Sequence, residues 1–180
     1  VRLIEEIKDE IMYLESIINA LDIATTENDL NNIKEELIIT GYIKKNSKSK
    51  SKDNKNNKPL HYISSDGFDM YVGKNNLQND ELTFKFASNS DWWFHAKQMP
   101  GSHVIVKTNG KELPDRTFEE AAALAAYYSK GRDLDKVEVD YVLKKEVKKP
   151  AAAKPGFVVY YTNYSLIAIA DINGIKEVTG

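Results

Sequence analysis

The sequence predicts an α+β fold: a mainly antiparallel sheet with two packed helices, preceded by an N-terminal coiled-coil helical segment. Heptad spacing fills the first part of the chain. Short alternating runs separated by turn residues fill the rest. Only two helical patterns occur after residue 59, too few for repeated βαβ units.

Ile4, Ile7, Ile11, Leu14, Ile18 and Leu21 follow a 3-4-3-4-3 spacing, the a/d seam of a coiled coil. A seam of this kind calls for a partner, either an upstream helix of a longer protein or a second copy. A helix packed on its own globular domain is the competing reading. Thr26 and Asp29 form a capping box for a shorter helix with Leu30, Ile33 and Leu37 on its stripe, and Gly41 can end it. The chain opens without Met inside a helical pattern, so it reads as a piece of something longer.

Charge divides the chain into three. Residues 1–43 carry three basic and ten acidic side chains, residues 44–58 carry seven Lys and one Asp, and residues 59–180 are near neutral, so the whole-chain charge of −2 conceals the contrast. We read these as a coiled-coil segment, a flexible Lys-rich linker and one compact domain. The linker holds no large apolar residue and repels itself; its second reading is a non-specific phosphate contact. There is no Cys, which removes disulfides and thiolate metal sites. No apolar run approaches the ~18 residues needed to span a bilayer. The expectation is a cytoplasmic protein without a membrane partner.

From His61 the pattern turns to β. Residues 61–63 and 68–72 flank Asp66-Gly67, a hairpin signal, and Gly73-Lys74-Asn75-Asn76 opens a short helix capped by Asn75 or Asn76. Residues 92–95 and 103–107 read as strands around a Pro-Gly turn. Thr117 to Glu120 is a capping box before an Ala-rich helix, apolar nearly all round and therefore buried. Residues 137–147, 157–161 and 166–172 complete the sheet.

Five constellations are candidates for chemistry. Gly73-Lys74 follows a strand and precedes a helix, where N–H groups and an ammonium can meet a phosphate, although the spacing is not that of a Walker loop. His95 and His103 lie on adjacent predicted strands, with Asp91 on the same face as His95; no third ligand stands at a diagnostic spacing, so neither a metal site nor acid–base catalysis is expected. Ser102 beside His103 lacks a nucleophile-elbow pattern. Trp92, Trp93 and Phe94 are consecutive, so alternation sends at least one ring to the opposite face, leaving one for the core and one to stack on an unpaired base. Finally, Lys144, Lys145, Lys148, Lys149 and Lys154 face a single Glu146 in a stretch stiffened by Pro150 and Pro155, which suits contact with phosphate.

Val72-Gly73-Lys74-Asn75-Asn76-Leu77-Gln78-Asn79-Asp80, Asp91-Trp92-Trp93-Phe94-His95, Pro100-Gly101-Ser102-His103-Val104, residues 121–130 and 149–156 resemble, in this order, the C-terminal NFACT-R domain of the NFACT family, whose bacterial members are the RqcH or fibronectin-binding protein A-like proteins. The likeness covers about residues 60–175, and residues 1–43 look like the end of the family's preceding coiled coil. Two positions depart from the pattern: Ala152 stands for the usual Gly and Val142 for Thr. The resemblance implies an RNA-binding module of a ribosome-associated quality control factor. Such a factor engages a large ribosomal subunit carrying stalled peptidyl-tRNA and supports alanine tailing. The partners are then tRNA and large-subunit RNA, with no cofactor and no catalysis by this chain. The contact residues we expect are Lys74, Asn75, Asn76, Trp92, His95, His103, Lys145, Lys148, Lys149 and Lys154. The alternative is a fibronectin-binding surface adhesin.

Overall fold

The computed structural model describes residues 1–46 and 57–179; residues 47–56, most of the expected linker, lie outside them. Helices α1 (Arg2–Ile23) and α2 (Glu27–Ile39) come first, followed by strands β1 (Leu60–Ile63) and β2 (Asp69–Val72). Helix α3 (Asn76–Glu81) runs into a π-helical turn (Leu82–Phe86), after which come β3 (Trp92–Ala96), β4 (Val104–Val106) and α4 (Asp115–Tyr127). The chain finishes with β5 (Val137–Leu143), a 3-10 turn (Lys144–Glu146), β6 (Tyr164–Ala168) and β7 (Lys176–Glu177). The seven strands form one sheet in the order β6-β5-β3-β4-β2-β1-β7, every pair antiparallel. The fold class is the one expected from the sequence.

Side-chain alternation gives the sheet two buried faces. On the first, Met70, Phe94, Val104 and Val139 pack against Ala121, Leu124 and Ala125 of α4, which is the buried helix its composition predicts. On the second, Trp93, Ile105 and Val142 are covered by Leu82 of the π turn and by Val147. Each large side chain fully buried in this way contributes roughly 1.5–3 kcal/mol.

Three sequence expectations need correction. Helix α4 begins at Asp115 behind Pro114, so Thr117 lies inside its first turn and is no cap. Pro114, extended at the N-cap, accepts the first helical hydrogen bonds at its carbonyl, from Thr117 N–H at 3.0 Å and Phe118 N–H at 3.4 Å. The hairpin loop before β2 then claims the supposed box: the Thr117 hydroxyl bonds Asp66 at 2.8 Å, and Glu120 accepts the Ser65 N–H at 2.9 Å. Residues 157–161 are not a strand; a single bridge joins Lys148 to Val159, because β3 and β6 already occupy both edges of β5. This segment crosses the second face, where Val158 and Tyr160 pack beside Trp93. The strand expected over 137–147 ends at Leu143, and β7, too short and charged to show in the pattern, pairs with β1.

The N-terminal hairpin docks on this domain through one stripe of α1 and leaves the other free. Tyr13, Ile17 and Ala20 pack with Ile33 of α2, whereas the heptad seam stays open, with Ile4 59%, Ile11 52% and Ile18 58% exposed. The Thr26–Asp29 capping box forms as expected, and Gly41, at φ 87, follows the end of α2. Docking is polar at its centre. Glu36, wholly buried, accepts from the Tyr13 hydroxyl at 2.7 Å and from Asn76 Nδ2 at 3.0 Å, and Asn76 also donates to Ser16 at 2.8 Å. Asp29 accepts from Lys74 Nζ at 2.6 Å. Burial raises the Asp29 carboxyl, but Lys74 and the hydrogen bonds from Thr25 and Thr26 outweigh it and hold the group below its ordinary range.

The loop after the 3-10 turn takes its shape from two specialised backbone positions. Ala153 N–H bonds Pro150 C=O at 3.2 Å, closing a turn whose third residue, Ala152, sits at φ 59. That is where a type II turn favours Gly, and here it lacks one. Gly156, at φ 80, lies so close to Asn76 that a Cβ would stand 2.4 Å from Oδ1.

Two outcomes are expected from these contacts. Ala152→Gly should raise stability by about 0.5–1 kcal/mol, the relief of left-handed strain less the entropy added to the unfolded chain. Gly156→Ala should lower it by ~2–4 kcal/mol, because left-handed strain adds to overpacking. Urea titrations of the two variants check both signs. A third outcome concerns Glu36, whose carboxyl burial raises above its ordinary 4.5 more than its hydrogen bonds lower it. Its contribution to stability is then fully present below that value and is lost as pH rises through the raised one. Glu36→Gln should flatten this fall in a series of thermal midpoints from acid to neutral pH.

Candidate nucleic-acid interface

Strand β3 sorts its aromatic residues by phase. Trp92 and Phe94 point to the α4 side, where Trp92 packs with Phe118 (5.1 Å between ring centroids) and Tyr141 (5.8 Å). Trp92 is therefore half-buried among core rings and offers no open platform. Trp93 and His95 point to the second face, opposite Ile105 and Val142 and opposite Asp140 in the ladders. Their rings are nearly parallel, 7° apart with centroids at 5.6 Å, and Tyr160 lies 5.1 Å from Trp93.

A pocket of about 560 Å³ opens on that face. Its floor is Trp93, His95 and Tyr160; its walls come from the Met99-Pro100-Gly101 turn, from Met12 and Tyr13 of α1, and from residues 150–157. The pocket unites segments far apart in sequence, and of the ten expected contact residues Asn76, His95, His103 and Lys154 line it.

The two imidazoles differ in role. His103 is 1% exposed and spans from Thr83 (Nδ1 to Oγ1, 2.8 Å) to the carbonyl of Gly156 (Nε2 to O, 3.1 Å). Burial holds it well below the ordinary imidazole value, reinforced by the nearby His95 and Lys149. In the neutral ring Nε2 carries the proton toward Gly156, since a carbonyl only accepts, and Nδ1 accepts from Thr83. His103 thus tethers the basic loop to the π turn. His95 is half-buried and faces the pocket, and burial lowers its pKa despite the nearby Asp140. Asp91 precedes β3 and its carboxylate is taken up by Lys107 Nζ (2.6 Å), Ser88 N–H (2.8 Å) and Thr108 N–H (3.0 Å), from all of which it accepts. That places a carboxylate outside reach of the imidazole pair.

The basic residues divide between fixed and free. Lys74 is held by Asp29, and Asn75 is a buried helix cap accepting from Gln78 N–H at 2.9 Å. Lys149 binds Asp80 at 3.0 Å and the carbonyls of Lys154 and Phe157, stapling the loop from within. Lys154 reaches Glu10 at 2.6 Å and lies 4.7 Å above the Tyr13 ring. Lys145 and Lys148 are exposed, with no acidic side chain at salt-bridge distance among the described residues. The ten expected contact residues omit Trp93, Tyr160 and the α1 residues of the pocket. Alternation offers Trp93 as readily as Trp92 but gives no phase, and nothing local to α1 signals a contact with residues 150–157.

The family model described as NFACT protein RNA binding domain matches residues 58–162, and that described as NFACT N-terminal and middle domains matches residues 1–56. The protein named Rqc2 homolog RqcH of Streptococcus pneumoniae serotype 2 is 47% identical over 176 residues, which is 97% of this chain and 31% of that protein. Its namesake in Bacillus subtilis is 39% identical over 170 residues, 93% of this chain and 29% of that protein. This chain therefore spans under a third of the length of these relatives. Among solved structures, the C-terminal part of the fibronectin/fibrinogen-binding protein from Streptococcus suis superposes with a TM-score of 0.88 at 44% identity, covering 97% of this chain and 70% of that one. The chain belongs to the NFACT family and comprises its RNA-binding domain with a helical hairpin from the region before it.

Proposed function

We propose that this chain is a non-catalytic RNA-binding module of a cytoplasmic, ribosome-associated quality control factor. Within the longer protein it engages a large ribosomal subunit carrying stalled peptidyl-tRNA, contacts tRNA or ribosomal RNA, and supports alanine tailing. The observation that carries this reading is the pair of unpartnered, exposed ammonium groups of Lys145 and Lys148 on a loop fastened by Lys149, His103 and Gly156. A loop already fixed in shape loses little entropy on meeting a phosphate backbone. No helix among the described residues is long and apolar enough to cross a membrane. In this reading the exposed α1 seam pairs with an upstream helix of the longer protein or with a second copy. The adhesin alternative draws on the name of the similar Streptococcus suis protein, fibronectin/fibrinogen-binding, which speaks of that protein alone.

Filter binding to tRNA between about 50 and 200 mM salt tests the proposal: affinity should fall steeply across that range. Replacing Lys145 and Lys148 together by Ala should reduce the slope of log affinity against log salt by roughly 1.4–1.8, the loss of two phosphate contacts. Absence of binding, or binding without a salt slope, overturns it. Binding to fibronectin in place of RNA transfers the case to the adhesin.

A further inference from the structure

The pocket beneath the basic loop has a form that phosphate contact alone does not explain. Its interior is aromatic and apolar, while the unpartnered ammonium groups lie outside it on the adjoining segment. We propose that it is a receptor for one unpaired nucleobase of a single-stranded RNA whose backbone runs along the Lys145–Lys148 side. This rests on the RNA-binding reading above and adds what the pocket itself recognises.

Three properties of the pocket select this occupant. The first is shape: the rings open to it are the half-buried His95 and Tyr160, backed by the fully buried Trp93, and Pro100 and Pro155 add flat apolar sides. Every base has a π face that such surfaces can cover. The second is polarity: the half-buried imidazole of His95 lines the pocket beside backbone groups of Ala96 and Gly101, and burial keeps the ring neutral, which suits a neutral heterocycle better than a charged group. The third is charge. On the α1 lip, Asp9 adds a negative group and Glu10 neutralises Lys154 at 2.6 Å, so a phosphate is disfavoured there. Lys145 and Lys148, on the segment that runs into the pocket wall at Pro150, are free to take it. This asymmetry points a strand's backbone along one side and its base inward. A paired base cannot enter, which makes the site selective for single strands. An apolar protein side chain would also fill the space, but it gives no role to the adjoining ammonium groups.

The chain has only three His, at 61, 95 and 103, so imidazole resonances in a carbon-13 NMR spectrum of the full chain provide a site-specific readout. The probes are a uridine oligonucleotide of ~10 residues, a site size within the usual range, and an abasic ribose-phosphate strand of equal length. The expected result is that the oligonucleotide shifts the His95 resonance and the abasic strand does not. His95→Ala and His95→Gln should each weaken oligonucleotide binding about tenfold, with abasic binding unchanged. An unperturbed His61 resonance shows that each variant is folded. If both strands bind equally and His95 stays silent, the base pocket is refuted while RNA binding stands. If neither strand binds in the filter assay, the RNA-binding reading falls and the pocket proposal with it. If a phenylalanine-containing peptide shifts His95 and the oligonucleotide does not, the pocket belongs to a protein partner.

Discussion

Buried carboxylates hold the two halves of this molecule together: Asp29 takes Lys74, and Glu36 forms the centre of the junction. Glu36 lies where α1, α2 and α3 meet, taking hydrogen bonds from Tyr13 and Asn76. Such a group is costly to bury and costly to leave unmatched, so its partners are constrained in position as well as in kind. Asn76 passes that constraint onward, since its side chain also touches Ser16 and sits beneath Gly156. His103 then closes the chain of contacts by donating to the carbonyl of Gly156. Asn76 and His103, expected to touch RNA directly, are thus committed to shaping the loop and the pocket.

The same economy governs the sheet. One strand carries Trp92 and Phe94 to one core and Trp93 and His95 to the other, so a five-residue segment serves both faces. The π turn and the crossing segment that carries Tyr160 bury Trp93 and leave His95 half-open. The pocket exists because this second face is incompletely covered, and α1 supplies its remaining wall.

Much of this is legible in the residues. The heptads, the capping box at Thr26, the Asp66-Gly67 hairpin and the Ala-rich helix each arise from local periodicity or local hydrogen bonding, which a sequence records directly. Residues 157–161 read as a strand because their apolar run meets strand propensity, while the availability of a sheet edge is decided by distant strands. The Thr117 to Glu120 box fails for a related reason: a hairpin fifty residues upstream competes for the same side chains. Among the lysines, sequence spacing groups those of residues 144–154 but does not separate the stapling Lys149 from the exposed Lys148. That distinction depends on Asp80, far away in the chain.

Helix α1 has one further consequence. It is 22 residues long, about 33 Å at the usual rise, and its inner stripe is fastened to the domain while its outer seam is free. Met12, Tyr13 and Ser16 belong to the pocket wall, so a partner that grips the free seam holds the same helix that walls the cavity.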